Sequence, residues 1–75
     1  MERYRNLRGN SGVVAYQVVR GGLVVAFADG GVYLYNNDIP GAPHIERMTQ
    51  LAVAGKGLSA YIATHVRQAY ARKLR

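Results

Sequence analysis

Hydrophobic and polar positions change their period once along this chain. From Gly12 to Asn36 the apolar residues come in short β-branched and aromatic runs, and from His44 onward they recur at helical spacing. The central stretch reads Leu-Val-Val-Ala-Phe-Ala-Asp-Gly-Gly-Val-Tyr-Leu-Tyr, Leu23 to Tyr35. Two strand-forming runs flanking Asp29, Gly30 and Gly31 predict a β-hairpin. A valine-rich run over Gly12–Val19, followed by Gly21-Gly22, predicts a further strand ahead of it. Strands at 12–19, 23–28 and 32–36 with short turns make an antiparallel meander.

Turn length decides which side chains share a face. A two-residue loop at Gly21-Gly22 puts Val14, Tyr16, Val18, Leu23, Val25 and Phe27 on one face, and Val13, Ala15, Val24, Ala26 and Ala28 on the other. For the second turn two registers are open. A two-residue turn sends Tyr33 and Tyr35 to the alanine face, and a three-residue turn with a bulge sends them to the Phe27 face. Either way both faces are apolar, which predicts helices on one side and another subunit on the other.

Asn36-Asn37-Asp38 has turn chemistry, and Ile39 to Pro43 forms a loop into a helix with Pro43 in its first turn. Ile45, Met48, Leu51 and Ala52 give that helix its apolar stripe through Ala54, and Gly55 is its stop. A second helix is expected from Leu58 or Ser59 to about Arg72, with Leu58, Ile62, His65, Val66 and Ala69 on one stripe and Tyr61 at its border. The predicted architecture is α+β, a three-stranded antiparallel β-meander followed by two α-helices. Residues 1–10 read as a basic N-terminal arm expected to fray, and residues 11–75 as a single domain.

Composition narrows the function. The 75 residues carry ten Lys and Arg against four Asp and Glu, a formal charge of +6, with no cysteine. So short a basic chain attracts polyanions. Disulfides and thiolate metal sites are excluded. No apolar run approaches the ~20 residues that span a bilayer, and no apolar stretch follows Arg3, Arg5 and Arg8 as a secretory signal requires. These features fit a cytoplasmic protein without membrane contact.

Catalytic chemistry has little to work with. Glu2, Asp29, Asp38 and Glu46 are scattered over the arm, two turns and a helix, and form no acid–base pair. His44 and His65 lie in different helices without a third ligand, so no metal site and no cofactor is expected. Ser11 and Ser59 have no base partner. Gly55-Lys56-Gly57 lacks the preceding glycine of a phosphate loop, since Gln50 stands there. The inventory predicts a binding protein, not an enzyme.

Binding residues are easier to nominate. Tyr33 and Tyr35 stand two apart on one strand face, an arrangement that stacks bases in small sheet modules and equally suits a core. Arg20 sits at a hairpin tip, and Lys56 lies between two glycines where backbone can approach a phosphate. Arg67 lies mid-helix with Tyr70 one turn on. Arg72 and Lys73 join the cations around the helix end, a position that also complements the helix dipole.

Leu23, Val25, Phe27, Gly30-Gly31, Tyr33-Leu34-Tyr35 and Ile39-Pro40, in that order, resemble the KTSC domain, named after the C-terminal segment of some lysyl-tRNA synthetases. Its central Tyr-x-Tyr is matched by Tyr33 and Tyr35. Ser11, Tyr16, Val66-Arg67 and Tyr70 also fit, so the resemblance spans about residues 11 to 70. The step from Asn36 to Pro43 is more extended than the family's valine-proline step, and the family's asparagine early in the last helix is Ala63 here or displaced. The resemblance implies a meander followed by helices, in a bacterial or phage protein, with RNA binding the usual suggestion for the family. Together these readings predict a small basic module that binds RNA or another single-stranded polyanion. The alternative is a protein–protein interaction module, an adaptor or inhibitor of a larger enzyme complex, which pairs with a partner or with itself through an apolar sheet face.

Overall fold

The meander forms with strands β2 (Val13–Val19), β3 (Gly22–Phe27) and β4 (Val32–Asn36). A computed structural model describes residues 1–75. Two strands that the sequence pattern did not predict extend it: β1 (Glu2–Arg3) and β5 (Arg72–Lys73) close the two edges, giving an antiparallel five-stranded sheet in the order β1-β2-β3-β4-β5 instead of three strands. Helix α1 spans Ala42–Ala54, and α2 spans Leu58–Tyr61 and runs on as a π-helical segment over Ile62–Val66. Both helices pack on one sheet face. Their Ile45, Met48, Ala52, Leu58, Ile62 and Val66 share a core with Tyr16, Leu23, Val25 and Tyr35.

Both turns differ in detail from expectation or resolve it. Val19 pairs with Gly22, so the first loop is Arg20-Gly21, one residue earlier than Gly21-Gly22. The register moves by an even step, so Tyr16, Val18, Leu23, Val25 and Phe27 stay on one face. Gly22 pairs with Val19 and Asn36 and so opens β3, and a Cβ there would come within 2.5 Å of the Tyr35 carbonyl oxygen, which calls for glycine. At the second turn the loop is Ala28-Asp29-Gly30. The Gly30 N–H donates to the Phe27 carbonyl at 3.0 Å, the Phe27 N–H donates to Gly31 at 2.8 Å, and Gly30 takes φ +95°. This is a three-residue loop with a glycine bulge, and it places Tyr35 opposite Leu23 and Tyr33 opposite Val25, on the helix side.

A bulge in β2 corrects one assignment. Val13 pairs with Phe27 and Ala15 with Ala26, leaving Val14 as the extra residue. Val13 is therefore 1% exposed in the core, whereas Val14, expected there, is 45% exposed.

The N-terminal residues belong to the domain and do not form a free arm. Glu2 and Arg3 pair with Tyr16 and Ala15, and Tyr4, only 3% exposed, joins the core. The Leu58 N–H donates to the Tyr4 hydroxyl at 3.3 Å, which satisfies a first-turn amide of α2. The Arg5 guanidinium donates to the Val53 carbonyl at 2.6 Å, and the Leu7 N–H to the Gly55 carbonyl at 2.8 Å. A cation there suits the negative end of α1, which stops at Gly55 in the left-handed conformation as expected.

At the other end the predicted helix to Arg72 stops at Val66. Arg67 turns to φ +48°, the chain reverses, and Arg72 and Lys73 pair with Leu34 and Tyr33. The returning segment satisfies outer backbone groups of β4 that a longer helix would leave to water.

Because Tyr4 is a core residue, its substitution tests the ordering of the N-terminus. Tyr4→Phe is expected to cost about 1 kcal/mol through the lost hydrogen bond, and Tyr4→Ala roughly 3–5 kcal/mol. Urea unfolding measures both, and a Tyr4→Ala protein as stable as the parent would mean that the segment is frayed.

Candidate nucleic-acid interface

The site is assembled from three chain segments that meet at one end of the sheet. The Ala28–Gly31 turn commits Tyr33 and Tyr35 to the helix side. Tyr33 lies back over the turn, where a Cβ on Gly31 would come within 2.9 Å of its ring. The π-helical segment ends α2 with the Arg67 N–H donating to the Ile62 carbonyl at 2.6 Å. Such segments are common at functional sites. Arg67 then adopts φ +48°, ψ −114°, a sparsely populated conformation for a side-chain-bearing residue. Two tight backbone bonds follow, Ala69 to Val66 at 2.7 Å and Tyr70 to Gln68 at 2.9 Å, and they swing Tyr70 back over the sheet. Finally β5 sets Lys73 opposite Tyr33.

The rings form one aromatic cluster. Tyr70 lies 4.7 Å from Tyr33 between centroids and 6.5 Å from Tyr35, the latter perpendicular. Phe27 meets Tyr33 edge-on at 5.6 Å. The Lys73 ammonium sits 5.8 Å from the Tyr33 ring centroid, within cation–π range. These residues, with Asp29, Ile62, Arg67 and Gln68, line an open groove of about 450 Å³.

Tyr35 is the deepest of them, 2% exposed. The tyrosine hydroxyls with partners inside the chain are those of Tyr4 and Tyr61. Tyr35 has none, yet no fully buried side-chain polar atom lacks a partner, so its oxygen opens on the groove. Burial, and then the neighbouring Tyr33 and Tyr70, push the Tyr35 hydroxyl up to about 12. It is a neutral hydrogen-bond donor across the physiological range.

Of the eight residues nominated from sequence, Tyr33, Tyr35, Arg67, Tyr70 and Lys73 converge on this groove. The other three do not. Arg20 is in the β2–β3 loop at the opposite end of those strands. Lys56 lines a separate polar cleft of about 320 Å³ with Arg8, Asn6 and Ser59. Arg72 pairs with Leu34, and strand alternation turns both to the sheet face away from the helices. Phe27, Asp29, Ile62 and Gln68, which also line the groove, carry no nomination from the sequence. Phe27 was legible from its shared face with Leu23 and Val25, but Gln68 carries no signal until the helix is known to end before it. His65, expected on the apolar stripe, is exposed and stacks on Tyr61 at 4.3 Å, while His44 Nδ1 lies 2.8 Å from the Tyr61 hydroxyl. No three His, Asp or Glu side chains gather as a metal-binding group.

No family model matches the chain, and neither the curated proteins nor the solved structures gave a match.

Two outcomes follow from that geometry. Arg67→Gly removes the backbone strain that Arg67→Ala retains, so the glycine variant is expected to be more stable than the alanine variant by about 1 kcal/mol in urea unfolding. The raised Tyr35 hydroxyl means that the native state favours the neutral phenol. Its contribution to stability is fully present below pH 10 and is lost as pH rises toward about 12. The urea midpoint of the parent should fall over this window, and Tyr35→Phe should remove part of the fall.

Proposed function

We propose that this protein is a small basic module that binds single-stranded nucleic acid, RNA foremost. The observation that carries this reading is the convergence of Tyr33, Tyr70 and a part-exposed Phe27 with Arg67 and Lys73 on one open groove. Single-strand binders combine a positive track for the backbone with aromatic faces for the bases, and stacking tolerates any sequence. The overall +6 charge adds attraction at long range. The resemblance to the KTSC domain supports the same reading, since its positions Tyr33, Tyr35, Arg67 and Tyr70 all line this groove.

A second reading is a protein-interaction module. It is favoured by the sheet face away from the helices, where strand alternation puts Ala15, Val19, Ala26, Val32 and Leu34, all half-buried, around a buried Val24. No helix is long and apolar enough to cross a membrane. Self-association at micromolar concentration in sedimentation experiments would support this second reading, and a strictly monomeric species would weigh against it.

Salt dependence tests the first. With about four cations on phosphates, log Kd against log salt for a short single-stranded RNA should have a slope of roughly 3 in magnitude. Replacing Arg67 and Lys73 together by alanine should lower that magnitude by ~1.4. Fluorescence anisotropy at several salt concentrations measures both, and a slope near zero would refute the proposal.

A further inference from the structure

We infer that the polar cleft between the N-terminal segment and the start of α2 binds a phosphate group, at a site separate from the aromatic groove. This site goes beyond the single-strand reading and stands or falls without it.

The cleft, about 320 Å³, is walled on one side by the chain from Tyr4 to Ser11 and on the other by Lys56 to Ala63. The two walls are fastened to each other. The Tyr4 hydroxyl accepts from the Leu58 N–H at 3.3 Å, and the Gly55 carbonyl accepts from the Leu7 N–H at 2.8 Å. Arg8 and Lys56 stand on opposite walls, and none of the four Asp and Glu side chains lines the cleft. Two cations with no acid between them favour an anion. The aromatic groove differs, since Asp29 stands among its cations.

The neutral side chains are also set to donate. Asn6 Oδ1 accepts from the Ser11 N–H at 3.0 Å, which orients the amide and leaves its NH2 group for a ligand. Ser11 Oγ accepts from the Val13 N–H at 3.0 Å, so its own O–H is free to donate. Ser59 brings a second hydroxyl from the other wall, and its oxygen lies 3.9 Å from where a Cβ on Gly12 would sit. Gly57, at φ +84°, adds bare backbone beside Lys56. A phosphate offers strong acceptor oxygens to all of these donors, and the resulting bonds are of the stronger, charge-assisted kind. A cation or an apolar group would leave the donors unmatched. The volume of about 320 Å³ also leaves room for part of the group that carries the phosphate.

The test titrates inorganic phosphate into the full chain at constant ionic strength, with chloride as the balancing anion, and follows backbone amide shifts by NMR. Saturable shifts are expected at Asn6 to Ser11 and Lys56 to Ala60, and not at Tyr33 or Lys73. Arg8→Gln and Lys56→Gln should each weaken binding about fivefold. Ser59→Ala should weaken it about threefold with no change in charge. Arg20→Gln removes the same charge beyond the other end of β2 and should leave binding unchanged. No saturable shift in the cleft, or equal weakening by Arg20→Gln and Lys56→Gln, would overturn the site. A short RNA carrying a 5′-phosphate, compared with the same strand ending in a 5′-hydroxyl, identifies the source. Tighter binding of the phosphorylated strand, lost in Lys56→Gln, supports the site and assigns it to a strand end. Equal binding of the two strands, with inorganic phosphate still saturating the cleft, supports it as a site for a free phosphate compound. If neither strand binds while phosphate still saturates the cleft, the single-strand reading fails and this site stands.

Discussion

One residue in a turn decides which face of the sheet carries Tyr33 and Tyr35. The β3–β4 loop has three residues, Ala28-Asp29-Gly30, and the bulge at Gly30 absorbs the odd one. A two-residue loop would flip every side chain of β4, sending Tyr33 and Tyr35 away from the helices. With the observed loop, Tyr35 enters the core opposite Leu23 while Tyr33 lies over Gly31 at the sheet's end. The rest of the groove depends on that parity. Tyr70 has a ring to pack on, and Lys73 faces that same ring only because β5 pairs in register with β4.

The two chain termini complete a domain that is otherwise too small for comfort. A chain of this length buries a limited core, and here both ends are used to enlarge it or to close the sheet edges. Tyr4 adds a large buried side chain and ties the start of α2 in place, while Arg5 and Leu7 fasten to the end of α1. The two outer strands are two residues long and carry Arg3, Arg72 and Lys73, which discourages edge-to-edge pairing. The N-terminus therefore supports the groove from behind, because it helps hold the helix whose end delivers Arg67.

Much of this was legible in the residues. Periodicity located the meander and the start of both helices, and Gly55 marked the end of α1. Longer segments advertise themselves because many positions repeat one pattern. A two-residue strand has no period to read, so β1 and β5 were invisible. The β2 bulge was hidden because Val13 and Val14 are chemically identical, and only the pairing chooses between them. The early end of α2 was missed because Arg67 carries no sign of a left-handed backbone, which glycine or asparagine usually signals. A helix running to Arg72 would set Arg67 mid-helix, Tyr70 one turn on, and Arg72 and Lys73 around its end. The reversal at Arg67 instead brings three of them to Tyr33 and leaves Arg72 on the opposite sheet face.

The proposed function thus depends on a meeting of segments rather than on any motif. Strands β3 and β4 bring Phe27, Tyr33 and Tyr35, the end of the π-helical turn and the segment after it bring a strained arginine and the Tyr70 ring, and the edge strand brings a lysine. Mapping the bound strand on the protein tests this most directly. Ultraviolet crosslinking of a short single-stranded RNA at low salt, followed by peptide mass spectrometry, should place the adducts on Tyr33 or Tyr70. Adducts confined to the far sheet face around Leu34, or none at all, would contradict the account.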